Sequence, residues 1–234
     1  MDKLAWLDGQ HVLVLGGSHG IGRAVALAAR AAGARVTVVG RSAEASDGMA
    51  AVGADLTDWD ALPAAFAGLA TVDHVVSTIG SRVAATRLED LSYDVALDAY
   101  QVKVLGNMAA LRAVLPHLAP RASITLTSGL LSRKFAAGNL LKGSINAAVE
   151  TMGQQLAREL APRRVNVVSP GVIDTPSWGV AGSAERQAMV DRIGASLPVG
   201  RVGTAEELAA TYLHIMGNGF LTGAVLDVNG GGLV

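Results

Sequence analysis

Along this chain, short apolar runs alternate with longer segments in which apolar positions recur every three to four residues. The short runs are His11–Leu15, Arg35–Val39, Ala51–Ala54, His74–Thr78, Ser123–Thr127, Val165–Ser169 and Val225–Val228. They are rich in Val, Ile and Leu and nearly continuous. A strand with one wet face alternates apolar and polar positions, whereas a strand covered on both faces does not, so these runs predict a buried parallel sheet. Helical periodicity fills the intervals at Ile21–Ala32, Trp59–Leu69, Ser92–Leu118, Leu141–Leu160 and Ala205–Met216. The alternation predicts an α/β fold: a doubly wound parallel seven-stranded sheet with helices on both faces, a three-layer sandwich. One interval differs. Gly40 to Ala50 is too short for a crossover helix, so a loop or a single turn is expected there. No linker, repeat or low-complexity tract interrupts the pattern, and residues 1–234 read as one domain.

Composition narrows the classes of function. Half of the 234 residues are hydrophobic and 17% are charged, enough apolar material for a large core. A net charge of −1 with no basic run speaks against nucleic acid or an acidic membrane surface as partner. The absence of cysteine removes disulfides and thiolate metal sites. The histidines His11, His19, His74, His117 and His214 show no pair at ligand spacing, so no metal site is expected. The start of the chain lacks a signal-peptide layout, and no stretch reaches about 18 uninterrupted apolar residues, which sets a cytoplasmic expectation.

The clearest chemistry follows the first strand. Gly16-Gly17-Ser18-His19-Gly20-Ile21-Gly22 stands between that strand and an Ala-rich helix. Glycines there let the backbone turn sharply and approach a pyrophosphate, whose charge meets the helix N-terminus. This is a Rossmann-type phosphate turn. The second strand ends in Gly40-Arg41-Ser42. Where an acidic residue would accept bonds from the ribose 2′-hydroxyl of NAD, Arg41 would pair with a 2′-phosphate and Ser42 would add a donor, so NADP(H) is the expected cofactor. His19 is a further possible donor. After the third strand, Asp55 of the Asp55-Leu56-Thr57 segment would accept a bond from the adenine amino group, although Asp-x-Thr is also a helix N-cap pattern before Trp59. Ile79 and Gly80 close a small-residue turn after the fourth strand, where a ribose can approach the backbone.

These segments together resemble the short-chain dehydrogenase/reductase family over nearly the whole chain. The spacing of Gly16, Gly20 and Gly22 is similar to that family's phosphate turn. Ile79-Gly80 resembles the end of its Asn-Asn-Ala-Gly segment, with Ser77 and Thr78 in place of the asparagines. Pro170-Gly171-Val172-Ile173-Asp174-Thr175 resembles the segment that holds the nicotinamide carboxamide, which implicates Pro170, Gly171, Ile173 and Thr175. The resemblance implies a Ser, Tyr and Lys, with an Asn completing a proton relay. Ser128 stands at the serine position. Counting back from Leu156-Ala157-Arg158-Glu159-Leu160 places Lys142 at the tyrosine position and Asn146 at the lysine position, at i, i+4 spacing on one helix face. Counting back from Ala113-Val114-Leu115-Pro116 places Lys103 at the relay asparagine. The set becomes Lys103, Ser128, Lys142 and Asn146.

Three functional readings follow. The first is an NADP(H)-dependent reductase of a small carbonyl or imine: Ser128 orients the acceptor, Lys142 donates the proton, and Asn146 holds the nicotinamide ribose. Two lysines near a pocket floor would depress each other's pKa, and desolvation would push the same way. The second is a cofactor-binding protein without redox chemistry, a sensor or partner subunit. The third is Schiff-base or elimination chemistry on Lys142. Residues from about 176 to 197, which contain Trp178, Val180, Met189 and Ile193 with Gly179 and Gly182 as hinges, read as a lid over a small substrate. The resemblance also implies a homodimer or homotetramer built on the two long helices.

Overall fold

A computed structural model of the chain describes residues 6–80, 83–176 and 183–234. Seven parallel strands form the central sheet: β1 (His11–Leu15), β2 (Arg35–Gly40), β3 (Ala50–Gly53), β4 (Val72–Ser77), β5 (Leu118–Thr127), β6 (Arg164–Pro170) and β9 (Val225–Val228). Their order is β3-β2-β1-β4-β5-β6-β9. The near-continuous apolar runs have their physical reason here, since β1 is buried at every position and β6 at all but its first. β7 (Ile173–Asp174) and β8 (Gly203–Thr204) make a separate two-stranded ribbon.

Helices α1 (Gly20–Ala31) and α7 (Ala205–Gly217) cover one face. The other face is covered by α2 (Leu62–Phe66), α3 (Tyr93–Tyr100), α4 (Gly106–Val114) and α5 (Leu140–Glu159). Helix α6 (Ala184–Gly194) lies inside the stretch expected to be a lid, where Met189 and Ile193 are half-buried. Trp178, Gly179, Val180 and Gly182 fall outside the described residues.

The doubly wound sheet agrees with the hydrophobic pattern, and the loop after β2 holds only a bridge between Ser46 and Met49. Two helices differ from expectation. The first stretch, Trp59–Leu69, is helical only from Leu62 to Phe66, because Asp58 Oδ1 accepts the N–H groups of Asp60 and Ala61 and Pro63 stands in the first turn. The second, Ser92–Leu118, carries a π-turn over Gln101–Leu105 between α3 and α4 and ends at Pro116, so β5 starts at Leu118.

The order of strands reverses between β1 and β4, and in such sheets ligands sit beyond the C-terminal strand ends at that reversal. Gly16, Thr78 and Ser128 all lie there: their N–H groups donate to Val39 O, Leu15 O and Val168 O, extending the ladders past the strands. Helix α5 comes close to the sheet at Gly153, where a Cβ would strike Val167. That approach brings Asn146 and Glu150 over the end of β5.

Candidate active site

A cavity of about 460 Å³ opens at the reversal point. Gly16, Ser18, His19, Arg41, Ser42, Asp55, Leu56, Ile79 and Gly80 line it, nine of the fifteen residues expected to hold a dinucleotide. Thr78, Asp98, Gln101 and Val102 line it as well and were not expected. Gly20 begins α1 and faces Thr175, which is 3.6 Å from where a Cβ would stand. Ile21 lies in the first turn of α1. Pro170 ends β6, Gly171 N–H donates to Val228 O, and Ile173 is buried in the ribbon with β8. These residues pack beside the cavity rather than lining it.

Three features of the turn fit a pyrophosphate. Gly16 has φ +81°, a conformation that favours glycine, and a Cβ on Gly22 would land on the Gly16 carbonyl oxygen. His19 occupies the N-cap of α1 without a side-chain capping bond, and no acidic residue stands in the first turn, so the amide groups there still accept an anion. Ser18 Oγ is buried without a protein partner. A buried hydroxyl without a partner costs on the order of 1–3 kcal/mol, which a phosphate oxygen would relieve. Arg41 is exposed at the rim and makes no hydrogen bond or ion pair with a described residue. Asp55 caps no helix, since α2 starts only at Leu62; its Oδ1 accepts the Thr57 N–H and hydroxyl in a local turn, which holds its carboxyl below the usual range.

Beyond Gln101 and Val102 lies a buried polar cluster. Lys103 Nζ donates to Asn146 Oδ1 at 2.6 Å and to Ser128 O at 3.0 Å. Its own carbonyl accepts Asn107 Nδ2 at 2.6 Å, and Asn107 Oδ1 accepts the Ser77 hydroxyl at 2.6 Å. This tie from β4 braces the π-turn that aims Lys103 inward. On the far side of the sheet the Thr127 hydroxyl donates to Ser77 O, so the buried Tyr212 hydroxyl donates to Thr127. One hydrogen-bonded chain thus runs from α7 through the sheet to Lys103.

Burial pushes the Lys103 ammonium down to about 8, while the Glu150 carboxylate opposes the fall. Of the two expected causes, desolvation acts and repulsion by Lys142 does not, while a carboxylate works against the fall. Lys142 is half-buried one turn before Asn146 and makes no hydrogen bond or ion pair with a described residue. The Ser128 hydroxyl donates to Glu150 Oε1 at 2.9 Å. With Val168 O farther away at 3.4 Å, its single proton goes to Glu150 and is not offered to a substrate.

The family model described as enoyl-(acyl carrier protein) reductase matches residues 16–232. A short-chain dehydrogenase/reductase of Stachybotrys chlorohalonatus, ATR9, is 33% identical over 96% of this chain and 97% of its own length. This chain belongs to the short-chain dehydrogenase/reductase family. Within that family, L-xylulose reductase of Mus musculus is 31% identical over 96% of this chain and 97% of its own. A small-chain dehydrogenase solved in complex with NADPH is 37% identical, covers 97% of this chain and 99% of its own, and superposes with a TM-score of 0.86. The parallel seven-stranded sheet is the architecture shared with this solved relative. Among the described residues no group of His, Asp and Glu could hold a metal ion, and no helix is long and apolar enough to cross a membrane.

Proposed function

We propose that this chain is a single-domain, cytoplasmic, NADP(H)-dependent oxidoreductase that reduces a small carbonyl or imine with an altered proton donor. The observation that carries the reading is the buried Lys103 ammonium, held by Asn146 and Ser128 directly behind the wall of the dinucleotide cavity. An ammonium with only neutral acceptors costs folding energy, and a group retained at such a cost marks a functional site. The family's usual tyrosine and lysine positions hold Lys142 and Asn146, and its relay asparagine position holds Lys103. The cation has thus changed helix, while the pair of functional groups is kept.

The solved relative with NADPH and the Gly16–Gly22 turn support a dinucleotide, and Arg41 supports NADP(H). When bound, the dinucleotide supplies the hydride. Lys142 then gives a proton to the acceptor's oxygen or nitrogen and takes another from solvent. Lys103 and Asn146 fix the electrostatics behind it, and residues from about 176 to 197 close over the substrate. Substituting Arg41→Ala is expected to raise KM for NADPH about 10- to 100-fold and leave KM for NADH nearly unchanged, since a charge-assisted phosphate bond is worth roughly 1.5–3 kcal/mol. Equal changes for both cofactors would remove Arg41 from the 2′-phosphate.

A screen of NADPH oxidation against ketones, imines and quinones tests the activity. The second reading, a cofactor-binding protein without redox chemistry, is favoured by the Ser128 hydroxyl, whose proton is held by Glu150. Tight NADPH binding with no turnover across the screen would select it. Borohydride trapping of a substrate on Lys142 would select Schiff-base chemistry instead.

We also propose a homodimer or homotetramer. Helices α4 and α5 enclose an apolar groove of about 790 Å³ lined by Val104, Met108, Leu111, Met152 and Leu156, with Leu105 and Leu115 exposed nearby. Sedimentation at micromolar concentration is expected to show a dimer or larger, and a monomer would contradict the assembly.

A further inference from the structure

We infer that Glu150 is the positioning residue of this site: through Ser128 it keeps the buried Lys103 side chain charged and in place. The inference rests on the proposed reading of Lys103 as the cation of the site.

Ser128 is a two-sided bridge. Its backbone carbonyl accepts the Lys103 ammonium at 3.0 Å, and its hydroxyl donates to Glu150 Oε1 at 2.9 Å. Glu150 is one helical turn beyond Asn146, the second acceptor of Lys103, so both lie on the face of α5 turned to this cluster. The same carboxylate oxygen accepts the Ser132 hydroxyl at 2.7 Å and Arg133 Nη2 at 3.4 Å. Arg133 does not claim the carboxylate for itself, because Asp227 holds its guanidinium with two bonds of 2.6 Å. Two hydroxyls and one shared cation hold the Glu150 carboxylate in one orientation.

An ammonium with three donors and only two neutral acceptors, buried beside a cavity, would otherwise lose its proton. The charged groups on the elements around it are Asp94 and Asp98 on α3, Arg112 on α4, Lys142, Glu150, Arg158 and Glu159 on α5, and Arg133 and Lys134 after β5. Glu150 is the carboxylate whose charge opposes the effect of burial on Lys103. The arrangement also explains why the Ser128 proton points away from the acceptor. Ser128 serves the cation and its counter-charge, and Lys142 is left as the free donor.

The test is an NMR titration of the full-length protein carrying 13C-labelled lysine, with the Lys103 signal assigned by its loss in Lys103→Met. Lys103 in the unmodified protein is expected to titrate near 8. In Glu150→Gln, which keeps an acceptor oxygen but not the charge, the midpoint is expected to fall by about one pH unit or more. In Glu150→Asp, which keeps the charge, it is expected to stay close to that of the unmodified protein. An unchanged midpoint in Glu150→Gln overturns the inference. So does an equal fall in both variants, because that would mean shape matters and charge does not. If Glu150→Gln does not fold, Glu150→Ala, which also removes the charge, decides: a fall of about one pH unit or more supports the role and a midpoint held near 8 overturns it. The readout needs no turnover, so a protein that reduces nothing would still report on Glu150, and the two proposals fail separately.

Discussion

Replacing Lys142 with alanine is expected to lower kcat/KM for carbonyl or imine reduction by about 10²- to 10⁴-fold, with NADPH affinity changed little. The range is what a positioned general acid supplies. The cofactor should still bind, because the phosphate turn, Arg41 and the Thr78–Gly80 edge line the cavity and no residue of α5 does. Lys142 stands on a helix already fixed by close packing at Gly153, and among the described residues it has no hydrogen-bond or ion-pair partner whose loss would disturb the fold. A fall in kcat/KM without loss of thermal stability, measured by steady-state kinetics and a melting curve, is the expected signature. Retained turnover would remove Lys142 from proton transfer.

Exchanging Lys103 and Asn146 should show that the two residues act as one unit. Lys103→Asn alone removes the cation and is expected to cost about 10²-fold or more in turnover. It should leave the fold at least as stable, because a desolvated ammonium is gone. Asn146→Lys alone sets a second ammonium where Oδ1 now accepts Lys103 at 2.6 Å, so it should lose activity and stability together. The double variant restores one cation and one amide with their helices exchanged. It is expected to recover to within about tenfold of the original rate, a strongly non-additive result of the kind seen for residues in direct contact. Additive losses in kcat/KM would mean that the pair has no shared role.

The parts of this molecule that were legible in the sequence depend on short-range physics. The strands appear as apolar runs because both faces are covered. The phosphate turn appears because its glycines meet steric limits within a few residues: Gly16 at positive φ, and Gly22 with no room for a Cβ. What the sequence hid is long-range or cooperative. Lys103 and Asn146 are 43 residues apart, and register counting identified each without showing that they touch. The π-turn at Gln101–Leu105 leaves the apolar period intact, and only the tie from Ser77 through Asn107 reveals what braces it. Glu150 is one of 20 acidic residues with no motif of its own, and three converging donors distinguish it. The shortened α2 was open to a closer reading, because Asp58 and Pro63 mark its true start.

The central claim is that this site moves a hydride from NADPH to a small acceptor and completes the reaction with a lysine proton. Stereospecifically deuterated NADPH, incubated with the protein and a panel of ketones, imines and quinones, tests it most directly by mass spectrometry of the products. Deuterium is expected on the reduced carbon of at least one product, from one face of the cofactor only, and this incorporation is expected to be almost lost in Lys142→Ala. Tight NADPH binding with no deuterium in any product would contradict it and leave a binding protein on the same fold.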